Sequence, residues 1–377
     1  MSILYKDCSV DELTEPSTWL AICPFLTCSV TRSELDDGSS INGHLIASAG
    51  RQMKSRGYFS VPPEQFDLKR TNLVELLARG VLELMKHGFP PLFILMFNES
   101  WEMTRIIQQF VPLVCACGEG GQPRPRHVGD FYVFAVLNAR EQASLGPESF
   151  KQRYRPSGPH RDRPTAGPST FSPLLMPQYC SIWLALSDAT TSNSCLYVVP
   201  LASDKGYYLS GDAHGSEGGV DEPVRIESCI AQPLKAGGLL CFSHRLLHWG
   251  SALEQWALEE DGLRSSEEDG EDEPAEAEAL PRIAFTTAFA QDSFEQSYFS
   301  EERFPMDGST PLSLRLGLVA GQSIQYEHLA PLAKHELALT RRIFHAQKDV
   351  LSSTYFEKIS SACQWLTFLQ HIKTRHA

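Results

Sequence analysis

The order of apolar and polar positions divides the chain into helical ends around a strand-rich middle. Between Leu73 and Met85 the apolar residues Leu73, Leu76, Leu77, Val81, Leu84 and Met85 recur at helical spacing, which predicts a helix burying one face. Gly88 is a plausible stop for it. After Pro90-Pro91, the run Leu92–Phe97 is short and uniformly apolar, and it predicts a buried strand. Asn98 or Ser100 can cap a following helix that runs to about Phe110. Gly118 to Arg126 is rich in glycine and proline and reads as loop. Beyond it, Phe131–Leu137, Tyr179–Leu186, Leu196–Val199, Leu239–Phe242 and Ile283–Ala290 are short and β-branched or aromatic, with turn-rich connections. That rhythm predicts an antiparallel sandwich or barrel. Near the C-terminus, Phe356, Ile359, Cys363, Leu366 and Leu369 fall on one stripe, which predicts a helix packed on the core.

The expected fold is therefore mainly β with flanking helices. Residues 1–125 form a mostly helical region on the core, 126–305 the β core, and 306–377 a helical extension. No internal repeat at 20 to 50 residues competes with this division.

Composition changes the picture in one place. The chain has 377 residues and a net charge of −13, but residues 257–279 hold eleven acids and one arginine. Removing that local −10 leaves −3 on the rest, too little basic character for a nucleic-acid footprint. The acidic stretch has few apolar residues and reads as a disordered surface insertion, which offers a basic partner a place to dock. No apolar run spans a bilayer, and the N-terminus lacks the basic-then-apolar order of a signal peptide. The ten cysteines are scattered without zinc-ribbon spacing, which favours thiols in the reducing cytosol.

Three segments of the β region carry candidate chemistry. In Gly158-Pro-His160-Arg-Asp162-Arg-Pro164, an extended backbone would turn His160 and Asp162 to the same side. An imidazole and a carboxylate from one strand end are two adjacent metal ligands; a surface turn is the plain alternative. In Gly237-Gly238-Leu-Leu-Cys-Phe-Ser-His244-Arg-Leu-Leu-His248-Trp249-Gly250-Ser251, two glycines turn the chain into a short apolar strand. His244 and His248 compete as the third ligand, and a strand brings only one of them to the ion. Two histidines and one carboxylate are the set expected of a non-haem Fe(II) oxygenase, with positions left open. Arg282 opens the strand Ile283–Ala290. Its guanidinium needs an anionic partner when buried, either the distal carboxylate of a dicarboxylic oxo acid or an internal acid.

Taken in order, these segments resemble the phytanoyl-CoA dioxygenase family of Fe(II)/2-oxoglutarate oxygenases. The stretches Ser181-Ile-Trp183-Leu-Ala-Leu-Ser-Asp188 and Ser194-Cys-Leu196-Tyr-Val-Val-Pro200 are similar to that family's tryptophan strand and Gly-Cys-Leu turn, and Phe242–Ser251 to its distal-histidine segment. The family's arginine follows that histidine by about ten residues. Here the gap is 34, and it falls to 11 once the 23 residues 257–279 are set aside as an insertion. Three departures stand out: Ser194 replaces the family's usual glycine, Leu201-Ala-Ser-Asp204 replaces its Gly-Ser-His run, and Trp249 intervenes before Gly250-Ser251.

The resemblance, which covers roughly residues 128–300, implies a double-stranded β-helix (jelly-roll) core. It implies His160, Asp162 and His248 as ligands of Fe(II), Arg282 as the holder of 2-oxoglutarate, Ser251 as its helper, and Trp183 as a wall of that pocket. The implied reaction uses O₂ and 2-oxoglutarate to hydroxylate a C–H bond of a small molecule, a lipid or acyl group among the candidates, and releases succinate and CO₂. Asp162 would favour hydroxylation over halogenation, because halogenating relatives lack that carboxylate. An inactive jelly-roll scaffold and a protein-directed hydroxylase are the competing readings.

Overall fold

The computed structural model describes residues 3–28, 43–65, 71–115, 125–151, 158–163, 167–209, 226–250, 281–299 and 310–375. Their strands are β1 (Tyr58–Val61), β2 (Arg126–Val136), β3 (Tyr179–Ala185), β4 (Leu196–Val199), β5 (Ile230–Gln232), β6 (Leu239–Ser243), β7 (Leu247–Gly250) and β8 (Arg282–Ala290). They build a five-stranded sheet in the order β1-β6-β3-β8-β2 and a three-stranded sheet in the order β5-β4-β7, with antiparallel pairing throughout.

Residue parity sorts the large sheet into two buried faces, since successive side chains of a strand point to opposite sides. Val133, Ala135, Ile182, Leu184, Leu239, Cys241, Ile283 and Phe285 lie in one cluster with the helices. Phe134, Val136, Trp183, Ala185, Leu240, Phe242 and Ala284 lie in a second cluster with Leu196 and Val198 of the small sheet. Both faces are covered, so these strands read as continuous apolar runs rather than as alternating ones.

Most of the helices come from the two ends of the chain, and one, Ala139–Ser144, lies between β2 and β3. Among the described residues they are α1 (Val10–Leu13), α2 (Pro16–Ile22), α3 (Gly43–Arg56), α4 (Thr71–Lys86), α5 (Asn98–Cys115), α6 (Ala139–Ser144), α7 (Leu312–Gln325), α8 (Lys334–Ala346) and α9 (Ser353–Arg375). The α4 helix matches the expected stripe, and Gly88 beyond its end takes a left-handed φ of 76°. Ile359 and Cys363 of α9 are buried as the C-terminal stripe requires; the side chains of Leu366 and Leu369 lie outside the described residues. No helix among the described residues is long and apolar enough to cross a membrane.

Two expectations need correction. The run after Pro90 is a 3-10 helix, Pro91–Met96, and not a strand. Pro91 pre-sets a helical φ at its first position, and all six residues are buried, so no exposed side marks a period. Conversely, β1 lies inside the segment expected to be helical and forms the edge of the large sheet, paired with β6 from Tyr58↔Phe242 to Val61↔Leu239. Four residues between a helix and Pro62-Pro63 are too few to show a period.

Candidate metal centre

The His160 segment reaches the small sheet through one isolated antiparallel bridge. His160 N donates to His248 O and His248 N donates to His160 O, each at 3.0 Å. This pairing brings the two imidazole centroids to 4.4 Å. Asp162, two residues further on, comes to the same side as His160. Asp162 Oδ1 lies 3.9 Å from His160 Nε2 and 3.5 Å from His248 Nε2, and one donor atom from each of the three residues falls within 4.8 Å of the other two. Among the described residues this is the group of histidine, cysteine and acid side chains that could hold a metal ion.

Each of the three side chains is oriented by a second contact. His160 Nδ1 donates to Gly158 O at 2.8 Å and His248 Nδ1 donates to Leu246 O at 3.0 Å. Those bonds fix the proton on Nδ1 and leave the Nε2 lone pair for a metal. The Ser181 hydroxyl donates to Asp162 Oδ2, so Oδ1 remains the oxygen facing the histidines. Burial pushes the Asp162 carboxyl up, but the facing His248 and His160 rings and the Ser181 hydroxyl outweigh it and hold it below its ordinary value. His248 is 5% exposed, and burial pushes its pKa down to about 4 against the pull of Asp162. The neutral imidazole at His248 and the ionised carboxylate at Asp162 are thereby favoured, the forms that coordination requires. Nitrogen and carboxylate donors gathered on one side fit a non-haem Fe(II) ion with open positions.

The two arginines of the same segment anchor it. Arg161 pairs with Asp204 through both guanidinium nitrogens, at 2.6 and 2.9 Å, and also donates to Arg245 O. Arg163 donates to Glu295 at 2.7 Å and lies over the Tyr179 ring at 4.6 Å. Histidine and aspartate thus face the centre while their arginine neighbours grip the scaffold. Asp204, a departure from the family pattern, has a defined place as the partner of Arg161.

The competition between the two histidines is decided by β7. His248 stands opposite Val198 on the inner face, whereas Trp249 faces outward and stacks on Tyr197 at 5.9 Å. His244 belongs to the β6–β7 turn. Its Nδ1 donates to Tyr179 O at 3.1 Å and its Nε2 meets Thr170 Oγ1 at 2.8 Å, so it packs the turn and is not in the donor set.

Arg282 and Trp183 lie together on the inner face of the large sheet. The Arg282 guanidinium is 1% exposed, sits over Phe134 at 4.5 Å and over Trp183 at 5.8 Å, and donates to Ser194 Oγ at 3.0 Å. Ser187 fixes the backbone on both sides of Arg282, donating to Pro281 O at 2.6 Å and accepting from Ile283 N at 2.7 Å. The apolar cluster holding Phe134 and Trp183 also holds Phe242, whose ring is 4.5 Å from that of His248, so one cluster borders both charged sites. Ser251 and the acidic stretch 257–279 lie outside the described residues. Sequence reasoning missed Ser181, Ser187 and the contact of Ser194. A short hydroxyl beside a predicted strand carries no local signal of the partner across the sheet.

Residues 141–253 match the family model described as phytanoyl-CoA dioxygenase, which bears out the resemblance over less than half of the chain. The matched segment contains the donor triad and Trp183 but not Arg282. No curated protein matches the chain. Similar solved structures include the epimerase SnoN in complex with Fe3+, alpha-ketoglutarate and nogalamycin RO, at 15% identity and a TM-score of 0.40, covering 66% of this chain and 85% of that one. Another is the non-heme alpha-ketoglutarate-dependent carbocyclase SnoK from nogalamycin biosynthesis, at 13% identity and a TM-score of 0.36, covering 69% and 86%. EvdO2 from Micromonospora carbonacea var. aurantiaca is a third, at 15% identity and a TM-score of 0.33, covering 69% and 92%. Likenesses this distant assign neither the fold nor the activity.

Proposed function

We propose that this chain is an Fe(II)/2-oxoglutarate-dependent oxygenase that hydroxylates a C–H bond of a small molecule. The observation that carries this reading is the triad itself: two Nε2 lone pairs and one carboxylate oxygen converge, each aligned by a separate hydrogen bond. The match of residues 141–253 to the phytanoyl-CoA dioxygenase family supports it. We read the two antiparallel sheets as a double-stranded β-helix, with the triad at the end of the small sheet.

When bound, the iron and its 2-oxo acid supply the activation of O₂ for attack on a C–H bond. His160, Asp162 and His248 would hold the ion from one side. Arg282 would pair with the distal carboxylate of 2-oxoglutarate, a bidentate match of planar groups. Trp183 would close that pocket: among the described residues nothing accepts its buried Nε1–H, which is therefore available to a bound oxo acid. Ser251 would assist Arg282 from beyond β7. Phe242 and the other cluster residues exclude water from the space between the sheets. Asp162 fills the position that halogenating relatives leave to chloride, which supports hydroxylation. The weak net charge outside 257–279 speaks against a nucleic-acid substrate, and that acidic stretch would suit a basic protein partner.

The test needs no substrate. Under anaerobic conditions the Fe(II)-loaded chain should develop a visible charge-transfer band when 2-oxoglutarate is added, and His160→Ala or Asp162→Ala should abolish it. Failure of the wild-type chain to bind iron would favour the inactive scaffold.

A further inference from the structure

Two described residues other than glycine have a left-handed backbone, Leu175 at φ 63° and Ser194 at φ 76°. A Cβ makes this conformation strained, and such strain persists only where the surroundings over-determine it. Leu175 is an exposed turn residue; Ser194 has no exposed surface at all. The turn before Ser194 is closely tied. Cys195 N donates to Thr190 O at 2.7 Å, Thr190 N donates to Asn193 Oδ1 at 2.7 Å, and Asn193 Nδ2 donates to Asp188 O at 2.9 Å. This strap holds Ser194 at the start of β4, with its hydroxyl 3.0 Å from Arg282 Nη2.

That contact supplies a constraint the aromatic rings cannot. Phe134 and Trp183, with ring centroids 4.5 and 5.8 Å from the guanidinium carbon, attract its charge. That attraction is not directed at any one N–H and leaves the in-plane angle open. Gripping a carboxylate with two parallel N–H bonds depends on that in-plane angle. A hydrogen bond at the edge, from Nη2 to Ser194 Oγ, sets it.

We propose that Ser194 is a positioning residue for dicarboxylate recognition: by pinning one edge of Arg282 it selects 2-oxo acids that carry a distal carboxylate. The inference rests on the oxygenase reading above and adds to it the residue that tunes cosubstrate choice. The strained backbone at Ser194 is then the cost of placing a hydroxyl where glycine would sit without strain.

The experiment uses the full chain, anaerobic and Fe(II)-loaded, with two probes: 2-oxoglutarate and pyruvate, which has the chelating 2-oxo acid end but no distal carboxylate. Affinities are read from the visible band and from calorimetry, for wild type, Ser194→Ala and Ser194→Gly. Iron stoichiometry and melting temperature report folding. Both variants lack the hydroxyl, but only Ser194→Gly relieves the strain, so it carries the test if Ser194→Ala folds poorly. The expected result is about a tenfold loss of 2-oxoglutarate affinity (about 1.4 kcal/mol) in both variants, with pyruvate unchanged within about twofold. Equal losses for both probes, no loss for 2-oxoglutarate, or a loss in Ser194→Ala alone would each overturn the proposal. A wild-type chain that binds iron but shows no preference for 2-oxoglutarate over pyruvate would instead sink the cosubstrate reading, and this inference with it.

Discussion

Replacing Ser181 by alanine tests whether the triad is an assembled metal site. The hydroxyl of Ser181 donates to Asp162 Oδ2 and so turns Oδ1 toward His160 and His248. A hydrogen bond to a charged group contributes about 1.5–3 kcal/mol. The Asp162 side chain is 24% exposed, so water replaces part of the lost contact and the low end, about 1.5 kcal/mol, applies. That corresponds to roughly a tenfold weaker metal affinity, at the lower edge of the about 10–100-fold seen when outer partners of metal ligands are removed.

The pH dependence separates orientation from protonation. Asp162 lies below its ordinary value and is ionised at pH 7, so the loss measured there reports orientation. Ser181 is one of the groups holding that carboxyl down, so its removal should also move the acid edge of metal binding to higher pH. Anaerobic Fe(II) titration against a chelator, from pH 5 to 8, measures both effects, and Ser181→Thr should restore the affinity. An Fe(II) affinity for Ser181→Ala within about twofold of wild type across that range would refute the reasoning.

Two further predictions concern groups away from the candidate triad. Arg282→Ala should weaken 2-oxoglutarate binding by about 100-fold, since a charged pair is lost, while leaving Fe(II) affinity unchanged; titration of each separately checks it. His127 is fully buried on β2, where its Nδ1 accepts from Gly129 N at 3.0 Å, and burial pushes its pKa down to about 3. A depressed folded value means that its contribution is whole above the unfolded pKa near 6.5 and is lost as pH falls toward 3, about 2 kcal/mol being gone by pH 5. His127→Gln should flatten the stability-pH curve over that window, as read by urea unfolding at pH 7 and pH 5; an unchanged slope would contradict the assignment.

The candidate ligands were readable in the sequence because their chemistry is local. His160 and Asp162 sit two apart, and a two-residue step needs only an extended backbone to bring both to one side. The strand spans of β3, β4, β6 and β8 were readable for a similar reason, each being a β-rich run between turns. Leu92–Phe97 misled because a run that is apolar on every side has no period, and Pro91 decided the matter by favouring a helical start. Tyr58–Val61 escaped notice because its identity as a strand comes from its partner: β6 lies about 180 residues further along and supplies the register.

The choice between His244 and His248 was settled by a different kind of information. Four residues separate them, an even step, so alternation along one continuous strand would have put both on the same face. The turn between β6 and β7 breaks that continuity. Leu246 N donates to Ser243 O at 2.9 Å, which leaves His244 in the turn and starts β7 at Leu247. His248 then faces inward because its partner Val198 does, and Val198 faces inward because it packs with Leu196 in the cluster between the sheets. The same dependence on a partner explains the serines. Ser181, Ser187 and Ser194 act on Asp162, on the backbone beside Arg282 and on the guanidinium itself, at sequence separations of 19, 96 and 88. Ligands can be read from spacing along the chain, but the groups that orient them are chosen across the sheet, where spacing says nothing. A chain can therefore keep every readable ligand while its oriented geometry is gained or lost through hydroxyls, and the serine substitutions test the centre more sharply than removal of the ligands.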